Sequence, residues 1–208
     1  DVGAHVGLVS RKLAVHFQYV VALEPHADNF LCLLRNIIDV PRVKAHQAAM
    51  GSHCGRIGLG PTTGTNSGDR HVCKGDDVPL LTLDSLDPLE VDEVDLVKID
   101  VQGYEYEVLT GGKQFLAYHR PLVIIECEPS DKQPKWAKPL KETLGILKRL
   151  GAQHVDTVGV DQLWAFPVRT NVPFDKYERG PYHMDMFERK HAYRDAVLGV
   201  CAYINAQG

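Results

Sequence analysis

Four carboxylates stand at the ends of apolar stretches: Asp1 just ahead of Val2-Gly3-Ala4-His5-Val6-Gly7, Glu24 after the run Tyr19 to Leu23, Asp100 after Leu96 to Ile99, and Glu126 after Leu122 to Ile125. In an open α/β sheet, ligands bind outside the carboxyl ends of the strands near the switch in strand order, so acids placed there converge on one edge. Glu24, followed by Pro25, sits at strand-plus-helix distance from the first turn, where its carboxylate can accept both hydroxyl protons of a ribose. Any one of these acids taken alone fits a helix cap or a surface charge equally well. Together they describe a nucleoside pocket.

The turn between Asp1 and the first helix decides which nucleoside. Gly3 permits a tight turn that a Cβ would obstruct, and Gly7 lets the backbone at the helix start approach a ligand. Dinucleotide folds use G-x-G-x-x-G to hold a pyrophosphate on backbone amides. Here the spacing is G-x-x-x-G with an acid in front. Asp1 would repel pyrophosphate but could pair with the ammonium of a methionine tail, so the motif favours S-adenosylmethionine over NAD.

A second motif supplies candidate chemistry. Val94-Asp95-Leu96-Val97-Lys98-Ile99-Asp100-Val101-Gln102-Gly103-Tyr104-Glu105 reads as a buried strand, an acidic strand end, a glycine turn and a new helix. Asp100 and Glu105 flank Gly103 where the sulfonium methyl should point. Methyl transfer to a hydroxyl is an in-line displacement with the oxygen about 3 Å from the methyl, and an alcohol needs a group to take its proton. Asp100 is the better base or orienting acceptor, while Glu105 equally fits compensation of a helix dipole. His71 is a second candidate base by its neutral-range titration, against the ordinary reading of a solvated loop histidine.

With Thr82-Leu83-Asp84-Ser85-Leu86 and the strand end Glu126-Cys127-Glu128, this order of motifs resembles the FkbM family of S-adenosylmethionine-dependent methyltransferases, over Asp1 to Pro167. The family usually has Glu where this chain has Gln102. The resemblance implies O-methylation of a hydroxyl on a small molecule, glycan or similar acceptor. It also places the loop holding Asn66, Ser67 and His71 over the cofactor, and Ala49 against the adenine ring, although Ala48 to Gly51 fits core packing as well. Asp84 is read as the N-cap of a short helix. No metal site is expected, because neither H-E-x-x-H nor paired Cys/His spacing occurs.

These residues need a scaffold that delivers several strand ends to one edge. Helical spacing marks Val6, Val9, Leu13 and Phe17, then Phe30 to Ile38, a helix from Tyr104 to Leu116, and another through Trp136, Leu140, Leu144, Leu147 and Leu150. The run Tyr19 to Leu23 is continuously apolar and reads as a parallel strand covered on both faces, followed by a short strand at Val43 to His46 and by strands at Leu96 to Ile99 and Leu122 to Glu126. His154 to Val158 and Gln162 to Phe166 form a terminal hairpin around Gly159. Residues 51 to 79 are expected to be irregular, with Arg56 to Leu59 strand-like. The fold class is therefore α/β: a Rossmann-like, doubly wound, mostly parallel seven-stranded methyltransferase sheet ending in an antiparallel hairpin, its first strand cut short at Asp1. The domain is read as 1–168, and 169–208 as a partly helical extension whose Phe174, Tyr177, Arg179, Tyr182, Phe187 and Arg189 suit a protein partner or a substrate lid, the partner being favoured.

Bulk properties narrow the classes. With 208 residues, one domain is expected. A formal net charge of -4 offers no basic footprint for duplex nucleic acid. Five cysteines without a C-x-x-C pair point to a reducing compartment, cytoplasmic or similar, and no run approaches the ~18 apolar residues of a membrane helix. Any targeting segment is expected to lie ahead of Asp1. The rival reading is a methyltransferase-like binding or assembly subunit with little catalysis, and an NAD oxidoreductase stands third.

Overall fold

The computed structural model describes residues 1–60, 72–86, 93–129, 131, 133–135 and 137–167. Its element order is α1 (Leu8–Leu13), β1 (Val20–Leu23), α2 (Ala27–Asn36), β2 (Val43–His46), β3 (Ala49–Met50), β4 (Gly55–Leu59), β5 (Val72–Leu81), β6 (Leu96–Ile99), α3 (Glu105–Thr110), α4 (Lys113–His119), β7 (Leu122–Glu126), α5 (Leu140–Arg149), β8 (Gln153–Val158) and β9 (Asp161–Ala165), with a single 3-10 turn at Leu83–Ser85. His71, Asn66, Ser67 and the extension 169–208 lie outside the described residues.

The strands are parallel and antiparallel by turns. β1 pairs in parallel with β2, β6 in parallel with β7, and β7 antiparallel with β9, which closes the terminal hairpin with β8. Val2 joins these pieces through parallel bridges to both Leu23 and Ile99. Its amide donates to the Lys98 carbonyl at 2.9 Å, and its carbonyl accepts from Asp100 at 3.0 Å. One residue therefore stands between β1 and β6.

Side chains alternate across a strand with period two, and the core follows that alternation. Leu23, Val97, Ile99, Val123, Ile125 and Trp164 pack in one cluster with Val108 and Leu109 of α3, Leu116 of α4, and Ile146 and Leu147 of α5. Val20, Ala22 and Val43 point the other way and pack against Leu13 of α1 and Leu33 of α2. α3, α4 and α5 thus pack on one face, α1 and α2 on the other at β1 and β2, while Leu122, Ile124 and Leu163 form a separate buried cluster among the strands.

Two expectations are corrected. Residues 51 to 79 are not irregular throughout: β4 and the ten-residue β5 form an antiparallel pair with a register shift between Ile57 and Gly58, and β3 adds to β5 in parallel. β5 hides from a sequence reading because five successive residues, Cys73 to Asp77, are exposed and polar or small, so neither strand period appears. The helix expected from Tyr104 to Leu116 is split into α3 and α4 at Gly111-Gly112. A Cβ on Gly111 would lie 2.0 Å from the Gly51 carbonyl oxygen, and one on Gly112 would lie 2.6 Å from Leu83 Cδ1. The β3–β4 connection and the 3-10 turn occupy the space a continuous helix would need.

Asp84 does cap a helix, though not its own turn. Its Oδ1 accepts the Phe115 amide of α4 at 2.8 Å, while Thr82 and Ser85 form the capping box of the local 3-10 turn.

The glycine contacts predict an inverted order of cost. Gly111→Ala should destabilise the protein by about 1–3 kcal/mol or more through backbone overlap, although Gly111 has an ordinary φ of -83. Gly151→Ala, at φ +90 with nothing within 4 Å, should cost only the roughly 1–2 kcal/mol of a left-handed residue. Denaturant midpoints of the two variants check the ranking.

Candidate functional site

The Gly3–Gly7 turn is built from left-handed residues: Gly3 at φ 79, His5 at φ 51 and Gly7 at φ 83. Glycine is needed at position 3 because a Cβ there would lie 1.8 Å from the Asp100 carbonyl oxygen. At position 7 the corresponding space faces Leu33 of α2, at 3.0 Å. What Gly7 admits is therefore a neighbouring helix, not the ligand approach expected of it.

Glu24 organises this turn. It is 6% exposed, and its Oε2 accepts the His5 amide at 2.8 Å while Oε1 accepts the His26 amide at 2.9 Å. Asn29 Nδ2 adds a third donor, to Oε1 at 3.5 Å, so the carboxylate is held in one orientation and Oε2, which accepts the His5 amide, keeps a lone pair for a further donor. Pro25 follows at the strand end, its carbonyl accepting from Gln47 Nε2 at 3.3 Å. Ala49 is buried in β3 with Val78 and Leu80, which is the core-packing alternative.

Lys98 is the residue that sequence reasoning missed. It lies within β6 with its side chain 3% exposed, 3.4 Å from Asp1 Oδ1 and 3.1 Å from Asp100 Oδ2, and it also donates to the Gly3 carbonyl at 3.2 Å. The ammonium expected to meet Asp1 is thus the protein's own: the Asp1 side chain is fully buried, paired with Lys98, and takes a 2.5 Å hydrogen bond from Ser10. The available signal was a lysine inside an apolar parallel strand between two acidic strand ends.

Asp100, Gln102, Glu105 and Glu126 form the other half of the site. Gln102 adopts φ 55 and Gly103 φ 93, which folds the Gln102 side chain back so that Nε2 reaches Asp100 Oδ1 at 3.1 Å and Glu126 Oε2 at 3.3 Å. Glu105 Oε1 accepts the amides of Val101 and Gly103, each at 3.1 Å. Through that oxygen its carboxylate braces the turn.

The ionisations differ by environment. Burial alone would raise the Asp100 pKa, but the Lys98 charge and the hydrogen bonds from Lys98, Glu126 and Gln102 bring it below the ordinary carboxylate value. Glu126 is pushed up to about 9, by burial first and then by the charges of Asp100, Glu105 and Asp161. Burial also raises Glu105. At neutral pH Asp100 is ionised and Glu126 carries a proton. Asp100 is accordingly a weak base, better suited to orienting a donor than to removing a proton early.

Among the described residues no His/Cys/Asp/Glu group has the arrangement of a metal site, and no helix is long and apolar enough to cross a membrane.

An edge of acids beside a tight glycine turn, on a mixed α/β sheet, is an arrangement that fits a methyltransferase-like protein. The family model of the methyltransferase FkbM domain matches residues 1–154, and the chain belongs to that family. The crystal structure of a methyltransferase FkbM from Methylobacillus flagellatus KT shares the fold, with a TM-score of 0.52 at 19% identity over 80% of this chain and 42% of that one. The chain thus spans less than half the length of that relative. A TehB-like SAM-dependent methyltransferase from Corynebacterium glutamicum ATCC 13032 Kitasato superposes with a TM-score of 0.41 at 12% identity, over 79% of this chain and 76% of that one. No curated protein matches the chain.

Two substitutions test the electrostatics. Lys98→Met leaves Asp1 and Asp100 without their buried cation and should cost about 3–5 kcal/mol of stability, read from denaturant midpoints. For Glu126 the folded pKa of about 9 exceeds the ordinary 4.5, so folding favours the protonated form and stability is lost as pH rises across that interval. Glu126→Gln, which keeps the neutral shape, should therefore gain on the unsubstituted protein as pH is raised from about 4.5 to about 9. A constant difference across that range would contradict the assignment.

Proposed function

We propose that the chain is an S-adenosylmethionine-dependent methyltransferase that transfers a methyl group to a hydroxyl oxygen of its acceptor. The observation that carries this reading is the charge arrangement at the strand ends. Lys98 is countered by both Asp1 and Asp100, so among the described residues the nearby acceptors Glu24, Asp100 and Glu126 leave the edge without a spare cation for pyrophosphate. Such an edge suits a ligand rich in hydrogen-bond donors and positive charge, with ribose hydroxyls, an ammonium and a sulfonium, and it disfavours NAD.

The topology supports the same reading. Taken through Val2, the strands succeed one another as β2, β1, Val2, β6, β7, β9 and β8. That order fits the seven-position doubly wound sheet expected from the sequence, with its antiparallel hairpin at one edge. The switch in direction falls at Val2, between Glu24 and Asp100, where ligands of such sheets bind.

Glu24 would hold the ribose through the acceptor capacity that remains on Oε2, where the His5 amide donates. Asp100, fixed on either side by Lys98 and Gln102, would orient the acceptor hydroxyl. As the oxygen forms its bond to the methyl carbon, the carbon–sulfur bond breaks with its electron pair on sulfur, and the hydroxyl proton passes to Asp100. An alkylated oxygen is strongly acidic before it loses that proton, so a carboxylate of low basicity suffices. The thiols of Cys32, Cys54, Cys73 and Cys127 are free, which fits a reducing compartment.

Calorimetric titration tests the pocket. S-Adenosylmethionine and S-adenosylhomocysteine should bind and NAD should not. Glu24→Gln, which weakens charge-assisted hydrogen bonds worth about 1.5–3 kcal/mol, should lower affinity roughly tenfold or more. Unchanged affinity in that variant would remove Glu24 from the site, and cofactor binding without transfer to any hydroxyl acceptor would favour the assembly-subunit reading.

A further inference from the structure

We propose that Gln102 is the positioning residue of this site, its side-chain amide clamping Asp100 and Glu126 into one proton-sharing carboxyl–carboxylate pair at the mouth between β6 and β7. The Gln102 bridge between the two acids rests on geometry, whereas the pair's use in accepting a hydroxyl proton rests on the methyltransferase reading above.

An amide nitrogen has two hydrogens, and both are used: one toward Asp100 Oδ1 at 3.1 Å and the other toward Glu126 Oε2 at 3.3 Å. The reach depends on the left-handed backbone of Gln102, φ 55, followed by Gly103 at φ 93, and on Glu105 bracing the turn through the Val101 and Gly103 amides. The second Asp100 oxygen is held by Lys98 at 3.1 Å. Asp100 is thereby tied down on both oxygens.

Among the described residues Glu126 has no such cation. The groups around it are Asp100 and Gln102 from the β6–α3 turn, Glu105 from α3, Asp161 facing it in register on β9, and the neighbouring Cys127 thiol. Lys98 is already shared between Asp1 and Asp100. Two carboxyl groups in contact with a single cation between them carry one negative charge if they share a proton. The shifts agree with that sharing, Asp100 being lowered and Glu126 raised. A glutamate at position 102 would replace two donors with acceptors and add a carboxylate to the cluster. The amide is what lets the two acids lie side by side. In transfer, the hydroxyl proton goes to Asp100, and the pair passes from one negative charge to none.

Carbon-13 NMR of the free, full-length protein labelled at Asp and Glu side-chain carboxyls tests the pair, with Asp100→Asn and Glu126→Gln assigning the resonances. In the unsubstituted protein, Glu126 should stay protonated through neutral pH, and the Asp100 signal should shift in the same alkaline step as Glu126. Gln102→Met removes both donors and should abolish that shared step. Gln102→Asn keeps the amide and a residue tolerant of the left-handed region, but it is one methylene too short to reach both acids, so it should lose the shared step too. Should the methionine variant fail to fold, the asparagine variant decides. Glu126 ionising in the ordinary carboxylate range, or a shared step unchanged in Gln102→Asn, would overturn the proposal. A parallel calorimetric titration with S-adenosylmethionine keeps the two claims apart. Absence of binding there would sink the methyltransferase reading while the carboxyl titration still decides on the pair.

Discussion

A buried ammonium holds the functional edge together. Lys98 is 3% exposed, and a charge so placed is tolerated only when paired and hydrogen-bonded. Its partners are drawn from three parts of the chain: Asp1 ahead of the glycine turn, the Gly3 carbonyl within it, and Asp100 at the end of β6. Satisfying that one charge fixes where the turn sits relative to β6. The missing Cβ of Gly3 serves the same end, since the Asp100 backbone occupies the space it would take.

Around that anchor the carboxylates divide their roles by what donates to them. Glu24 takes two backbone amides and keeps its orientation without a cation. Glu105 takes two more and is absorbed into the turn it braces. Lys98 beside Asp100 brings its pKa below the ordinary carboxylate value, whereas burial and the neighbouring acids raise that of Glu126, which has no paired cation among the described residues. Residue type alone could not distinguish these acids. Their donors do.

That division also marks what could be read from the sequence. The strand ends at Glu24, Asp100 and Glu126 were legible because parallel strands covered on both faces are continuously apolar and stop abruptly at acids. The left-handed turn at Gly3 and Gly7 was legible for a similar reason, since few residues other than glycine accept that backbone. Lys98 was passed over because a strand read by its apolar content hides a single paired charge, and the partner of Asp1 went unrecognised with it. Gln102 registered only as a departure from the family pattern; its bridging of two carboxyls depends on a left-handed backbone angle that spacing does not encode. β5 escaped because its exposed polar stretch carries no periodicity, and the break between α3 and α4 arises from tertiary contacts of Gly111 and Gly112 that no local pattern records.

The central claim is that the acidic edge between β1 and β6 receives an adenosine bearing a methionine tail. A crystal structure of the protein with S-adenosylhomocysteine tests it most directly. The account predicts ribose hydroxyls within hydrogen-bonding distance of Glu24 and the sulfur directed toward Asp100. A ligand seated elsewhere on the molecule, or a ribose turned away from Glu24 with the sulfur remote from Asp100, would contradict it.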